Sequence, residues 1–123
     1  MSQINSLIRL ARNVSNHSDF IPRLKMGAVL AKRGTPISVG FNKNKTHPSV
    51  PYTIHAEVDA LLNCTSGSTR GTTMCVYRQM LDGTPALARP CPDCMSALTK
   101  AGVTKIIYSV SEYPFYKVER LPS

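Results

Sequence analysis

Two short stretches constrain this chain more than anything else in it: His55-Ala56-Glu57 and Pro90-Cys91-Pro92-Asp93-Cys94. Each opens an apolar-periodic run that reads as a helix, from about Ile54 to Asn63 and from about Pro92 to Ala101, and a strand-like run, Thr72 to Gln79, lies between them. An imidazole and two thiols are metal-ligand types, and thiols at positions i and i+3 of a helix share one face. A fold that uses them together brings the N-termini of two helices to one point.

Zinc prefers tetrahedral nitrogen and sulfur ligands, and a catalytic zinc takes three from the protein and leaves the fourth position for water. His55, Cys91 and Cys94 supply three, so one Zn²⁺ per chain is expected. The exposed N–H groups and positive dipole ends of both helices favour thiolates there. Two thiolates cancel the metal's charge, and deprotonating a bound water then needs a nearby base that is not itself a ligand. Glu57, two residues past His55 and still in the first helical turn, fits that role. Taken alone, Cys-x-x-Cys is also half of a structural zinc knuckle or a thioredoxin-like pair, and His-x-Glu arises by chance in many chains. In this order, with Pro90 before the first thiol and a strand between, the two together are the signature of the zinc deaminases, whose Glu is the general acid/base.

At 123 residues the chain is expected to be one domain, 1–123, with a single core. Hydrophobic residues at 42% and charged residues at 18% suit a globular protein, and no apolar run approaches the roughly 18 residues of a membrane span. Met1-Ser2-Gln3-Ile4-Asn5 lacks the features of a signal peptide, so a reducing cytoplasm is expected, where Cys-x-x-Cys binds metal or is redox-active and is not a structural disulfide. The formal charge of +8 favours anionic partners, a nucleotide phosphate or a nucleic-acid backbone, and is equally an ordinary means to solubility.

Along the chain, Ile4, Leu7, Ile8, Ala11 and Val14 fall at helical spacing, which predicts a packing helix from about Gln3 to Asn16. Met26 to Ala31 and Pro36 to Phe41 read as two strands of a hairpin around Gly34, and Asn42 to Pro51 as a polar loop leading into the key stretch. Thr53 is a plausible cap for the following helix, and Gly102 a good C-terminal stop for the helix after Pro92. Asp82-Gly83 marks a turn, and a second loop runs through Pro85 to the thiols. Val103 to Val110 and Phe115 to Leu121 complete five strands. Strands separated by helices predict a mixed sheet with flanking helices. Only Ser111 to Pro114 separate the last two strands, too few for a parallel crossover, so the last strand is expected to return antiparallel. Cys64 and Cys75 read as small buried hydrophobes, His47 as a solvated loop residue, and His17, just past the first helix, as a residue with no chemical role.

The residues resemble the cytidine and deoxycytidylate deaminase superfamily over most of the chain. Gly40-Phe41-Asn42, His55-Ala56-Glu57-Val58-Asp59-Ala60-Leu61, Pro90-Cys91-Pro92-Asp93-Cys94 and Gly102-Val103-Thr104-Lys105-Ile106-Ile107-Tyr108 occur in family order. The resemblance implies a three-layer α/β/α sandwich around a mixed five-stranded sheet, one zinc held by His55, Cys91 and Cys94, and Glu57 as proton carrier. It implies that Asn42 contacts the sugar or base, that the Ala56 backbone lies against the base with Pro90 beside the site, and that the chain forms a homo-oligomer. Histidine as the first ligand resembles the deoxycytidylate, tRNA-adenosine and guanine deaminases, where tetrameric cytidine deaminases have Cys. The short link before the last strand departs from those same relatives, which put a helix there. The expected reaction is hydrolytic deamination of a cytosine ring in a free nucleotide or nucleoside of the dCMP or CMP type. Lys43, Lys45 and Arg89 read either as cations for a 5′-phosphate or as solvated loop charges. The alternatives are a polynucleotide deaminase, with Tyr113, Phe115 and Tyr116 stacking on bases, a deaminase of another base, and a zinc-stabilised binding module without turnover.

Overall fold

The computed structural model describes residues 3–18, 25–46, 51–65 and 67–122. Three helices, α1 (Gln3–Ser15), α2 (Ala56–Asn63) and α3 (Pro92–Lys100), pack on a sheet built from β1 (Lys25–Lys32), β2 (Thr35–Phe41), β5 (Thr73–Gln79), β7 (Lys105–Ser109) and β8 (Tyr116–Arg120). The strand order is β2-β1-β5-β7-β8. β1 runs antiparallel to β2 and β5, β5 and β7 are parallel, and β8 is antiparallel to β7, as the short link requires. The sheet is mixed, and helices cover both of its faces, giving the three layers expected.

The continuous apolar run in β1 is explained by its central place, because a strand covered on both faces buries every side chain. Ala28 and Leu30 join Met74, Val76, Ile106 and Tyr108 under Ala56, Ala60 and Leu98 of α2 and α3. Val29 and Ala31 join Cys75, Tyr77 and Ile107 under Leu7, Ala11 and Val14 of α1. The β1–β2 hairpin turns through Arg33 (φ 53°) and Gly34 (φ 81°), the paired positive φ of a type I′ turn. At the end of α3, the Val103 N–H bonds the Leu98 carbonyl at 3.0 Å and the Gly102 N–H bonds that of Thr99 at 3.1 Å, a Schellman ending that needs the positive φ of Gly102.

Three expectations are corrected. The polar segment Asn42 to Pro51 is in part a two-stranded ribbon, β3 (Lys43–Thr46) paired antiparallel with β4 (Pro51–Ile54). Its composition concealed this, because a ribbon outside the main sheet needs no apolar alternation. His47 lies outside the described residues. Thr53 is the third residue of β4 and not a helix cap, and His55 itself takes the N-cap place of α2, with φ −72° and ψ 150°. The loop after Asp82-Gly83 contributes a two-residue strand, β6 (Pro85–Ala86), that adds to the end of β5. Among the described residues no helix is long and apolar enough to cross a membrane.

Candidate active site

His55 is the N-cap of α2 and Cys91 the N-cap of α3, each in extended conformation, and neither caps its helix with a side-chain hydrogen bond. Both side chains are thereby left for another partner. Pro92 takes the first helical position, where its missing N–H costs nothing, and Cys94 follows in the first turn. His55 Nδ1 is 3.1 Å from Cys94 Sγ and 3.9 Å from Cys91 Sγ, and the three ligand atoms all lie within 4.8 Å of one another. Tetrahedral zinc with ordinary Zn–N and Zn–S bonds sets N and S about 3.6 Å apart and two S atoms about 3.8 Å apart. The donor set and its spacing fit zinc.

Glu57 is only 2% exposed, and its Oε1 has no hydrogen-bond partner among the described residues. Burial raises its pKa, against the lowering influence of its own backbone N–H, of His55 and of Cys94. Burial also pushes the Cys94 thiol well above its ordinary range, and Glu57 and Cys91 add to that shift. Three groups able to carry negative charge thus face one another in a partly dry corner, an arrangement that a dication relieves. Cys75, by contrast, lies under α1 with burial pushing its thiol up to about 12, and Cys64 is the half-buried C-cap of α2. Both are packing residues, as expected.

The first turn of α2 is held against β2. A side chain at Gly40 would overlap the Ala56 carbonyl oxygen and the Ala60 N–H, so only glycine permits this approach. Ser38 Oγ donates to the Ala60 carbonyl, Asn63 Nδ2 donates to that of Val39 at 3.0 Å, and the Phe41 N–H donates to Asp59 Oδ2 at 3.1 Å. Asp59 is one turn on from His55, which makes α2 the common support for the metal ligand, Glu57 and the end of β2. Asn42, at that end, is buried, and its Oδ1 accepts from the Met26 N–H at 2.9 Å and from Ser18 Oγ at 2.7 Å. Ala56 is fully buried at the helix start, and Pro90 is buried just before Cys91. Ser109 pins the segment leading to the thiols: its Oγ donates to the Ala86 carbonyl at 2.6 Å and accepts from the Arg78 N–H at 3.0 Å, while its carbonyl accepts from the Ala88 N–H at 3.0 Å.

Lys43 and Lys45 lie two apart on β3. Arg89 does not stand ready for a phosphate, because its guanidinium grips Glu119 of β8 with Nε–Oε2 at 2.7 Å and an Nη2–Oε1 bond at 3.2 Å. Tyr108 donates to the same Glu119 oxygen at 2.7 Å, and the two partners, Arg89 first, hold the Glu119 carboxyl down at about 2. Ser18, Asp59 in this role and Glu119 have no signal in the sequence, since each acts on a residue distant in the chain.

The family model for the cytidine and deoxycytidylate deaminase zinc-binding region matches residues 1–110. The chain belongs to this family. Its relatives include the deoxycytidylate deaminases of Pongo abelii, 32% identical over 71 residues, and of Mus musculus, 31% identical over 71 residues. Those alignments cover 58% of this chain and 34% of either relative, so the chain spans about a third of their length. The crystal structure of dCMP deaminase from the cyanophage S-TIM5 superposes with a TM-score of 0.68 at 26% identity, over 87% of this chain and 82% of that one. The cytidine deaminase of Burkholderia pseudomallei shares the fold, with a TM-score of 0.73 at 16% identity over 98% and 93% of the two chains.

Proposed function

We propose that this family member is a zinc-dependent hydrolytic deaminase of the cytosine ring in a free nucleotide of the dCMP type, with residues 1–123 acting as its deaminase domain. The observation that carries the reading is the buried Glu57 carboxyl, one oxygen unpartnered, beside three metal-ligand atoms. Left as a structural group, such a carboxyl only destabilises the fold. As a proton carrier it stands where it is needed. His55, Cys91 and Cys94 would hold zinc, which when bound supplies Lewis acidity and lowers the pKa of a water to about 7.

Glu57 accepts one proton from the attacking water and passes it to N3 of the ring, then takes the second proton from the new hydroxyl on C4 and gives it to the exocyclic amine. The bond from C4 to that amine breaks, the water oxygen stays on C4 as the carbonyl of uracil, and ammonia leaves. A pKa raised by burial suits a carboxyl that must both take and give a proton near neutrality. In this reading Ala56 has too little side chain to keep the base from the helix backbone, Pro90 walls the pocket, Asn42 donates to the sugar, and Lys43 and Lys45 serve the phosphate. The match to deoxycytidylate deaminases supports a nucleotide over a bare base.

Ammonia release by zinc-loaded protein tests the reading, over cytosine, cytidine, deoxycytidine, their phosphates, purine counterparts and a single-stranded oligonucleotide. Turnover confined to free cytosine compounds is expected, and Glu57→Ala should retain zinc but lose at least about 10²-fold in rate. A variant near the wild-type rate would sink the role given to Glu57. A homo-oligomer closing the pocket with a neighbour's loop belongs to the same reading, and a light-scattering mass equal to the 13.5 kDa chain would remove it.

A second reading, action on a single strand, is favoured by Tyr113, which is 86% exposed and meets Phe115 edge-on at 5.8 Å. Tyr116 instead packs, partly buried, against the α1-side core. Oligonucleotide affinity that falls steeply with salt would favour this reading.

A further inference from the structure

We infer that the end of the sheet opposite the active site is a docking surface for the phosphate backbone of a nucleic-acid duplex. From the thiols, α3 runs to Gly102, which meets the chain where β5 and β7 begin. There the Gly71 N–H donates to the Gly102 carbonyl at 2.8 Å and the Thr104 N–H to that of Thr72 at 2.9 Å. Six cations collect at this far end. Lys32 closes β1, Arg33 turns the β1–β2 hairpin, Lys100 closes α3, Lys105 opens β7 and Arg120 closes β8. Arg70 packs on Gly102, where a side chain would meet its Cα and Cγ. The register sets Ala31, Thr73, Lys105 and Arg120 in one row across four strands, about 14 Å wide at ordinary strand spacing, with Lys32 next to Ala31. Arg33, Arg70, Lys100 and Arg120 are exposed, and Lys32 and Lys105 are half-buried.

The described carboxylates lie elsewhere. Glu57, Asp59 and Asp93 sit in the first turns of α2 and α3, and Asp82 and Glu112 follow β5 and β7 at the site end. Glu119 precedes Arg120 in the chain but is turned to Arg89. Among the described residues none of the six cations has a carboxylate partner. Lys100 complements the dipole of α3, whereas Lys105 and Arg120 stand directly opposite on neighbouring strands, a like-charge pair that costs stability until an anion joins it. Solubility is served by interspersed charges of both signs and needs no such separation. No large exposed apolar side chain and, among the described residues, no aromatic belongs to these strand ends and turns. Insertion into lipid and stacking on unpaired bases both need such groups, so what this end offers is charge for a backbone, without reading sequence. A bound duplex would leave the active site, at the other end, open to its substrate.

Fluorescence anisotropy of the full chain with a labelled mixed-sequence duplex of about 20 base pairs, over about 50 to 200 mM salt, tests this. Affinity should fall steeply with salt. The triple variant Lys32→Gln, Lys105→Gln, Arg120→Gln should bind about 10-fold or more weakly, with the slope of log affinity on log salt flatter by about 2 to 3. The charge-keeping triple Lys32→Arg, Lys105→Arg, Arg120→Lys should bind as the wild type does, which separates lost charge from a disturbed fold. No duplex binding at about 50 mM salt overturns the inference, and so does wild-type affinity and slope in the glutamine triple. A single strand that binds more tightly than the duplex overturns the choice of partner. Tighter binding to vesicles with about 30% phosphatidylserine, lost in the glutamine triple, would give the surface to a membrane and overturn it too. Binding is read here without turnover, so this inference and the deamination reading stand or fall separately.

Discussion

Glu57 has a folded-state pKa above the 4.5 of an ordinary glutamate, with burial as the leading cause. In the metal-free protein a proton is therefore held more tightly by the folded than by the unfolded chain. That contribution to stability is complete below the unfolded pKa and is lost as pH rises through the folded one. Glu57→Gln has no carboxylate to bury. As pH rises above the 4.5 of an ordinary glutamate, the metal-free variant should lose less stability than the metal-free wild type, as urea titrations at each pH would report. Parallel curves would mean that the carboxyl is solvated. The four central residues, His55, Glu57, Cys91 and Cys94, were legible because their chemistry is in their identity and spacing. Ser18 and Glu119 were not, since a serine or a glutamate acquires a role only from what stands opposite it.

Elements are joined here by close approaches that single atoms decide. Gly40 lets β2 lie against the first turn of α2, and Gly27 does the same for β1 against α1, where a side chain would meet the Ala11 carbonyl oxygen and the Ser15 backbone. Gly40→Ala must displace α2, and rigid backbone on the facing side leaves no rotamer to absorb the change. A loss of about 1–3 kcal/mol is expected, measured by the urea midpoint. Because α2 carries His55 and Glu57, zinc affinity measured by chelator competition should fall as well. Unchanged stability and unchanged affinity together would show that the helix and strand are not in the contact described. The helix and strand boundaries were legible wherever burial leaves a pattern, the helical period of α1 or the continuous apolar run of β1. They failed in the ribbon of β3 and β4, where strands pair by backbone hydrogen bonds and the sequence carries no apolar alternation.

At the scale of the whole molecule, the three candidate ligands come from two elements that only the folded sheet holds together, so metal binding there would be linked to folding. Removing zinc with a chelator should lower the melting temperature of the wild-type protein and leave that of Cys94→Ala unchanged. The shift should shrink as pH falls, since the thiols must lose their protons to bind. Equal chelator shifts in both proteins would place the metal elsewhere. The sequence alone was enough for a mixed sheet with flanking helices, the antiparallel return of β8 and the candidate His/Cys/Cys cluster. These follow from local periodicity, from the length of one link and from the chemistry of three side chains. The tertiary structure decided what these polar residues face: Arg89 paired with Glu119, Asp59 on the Phe41 N–H, and the Asn42 oxygen held by Ser18 and Met26. Burial leaves a periodic trace along the chain, whereas a hydrogen bond between residues far apart in sequence leaves none, and the first could be read before the fold was known while the second could not.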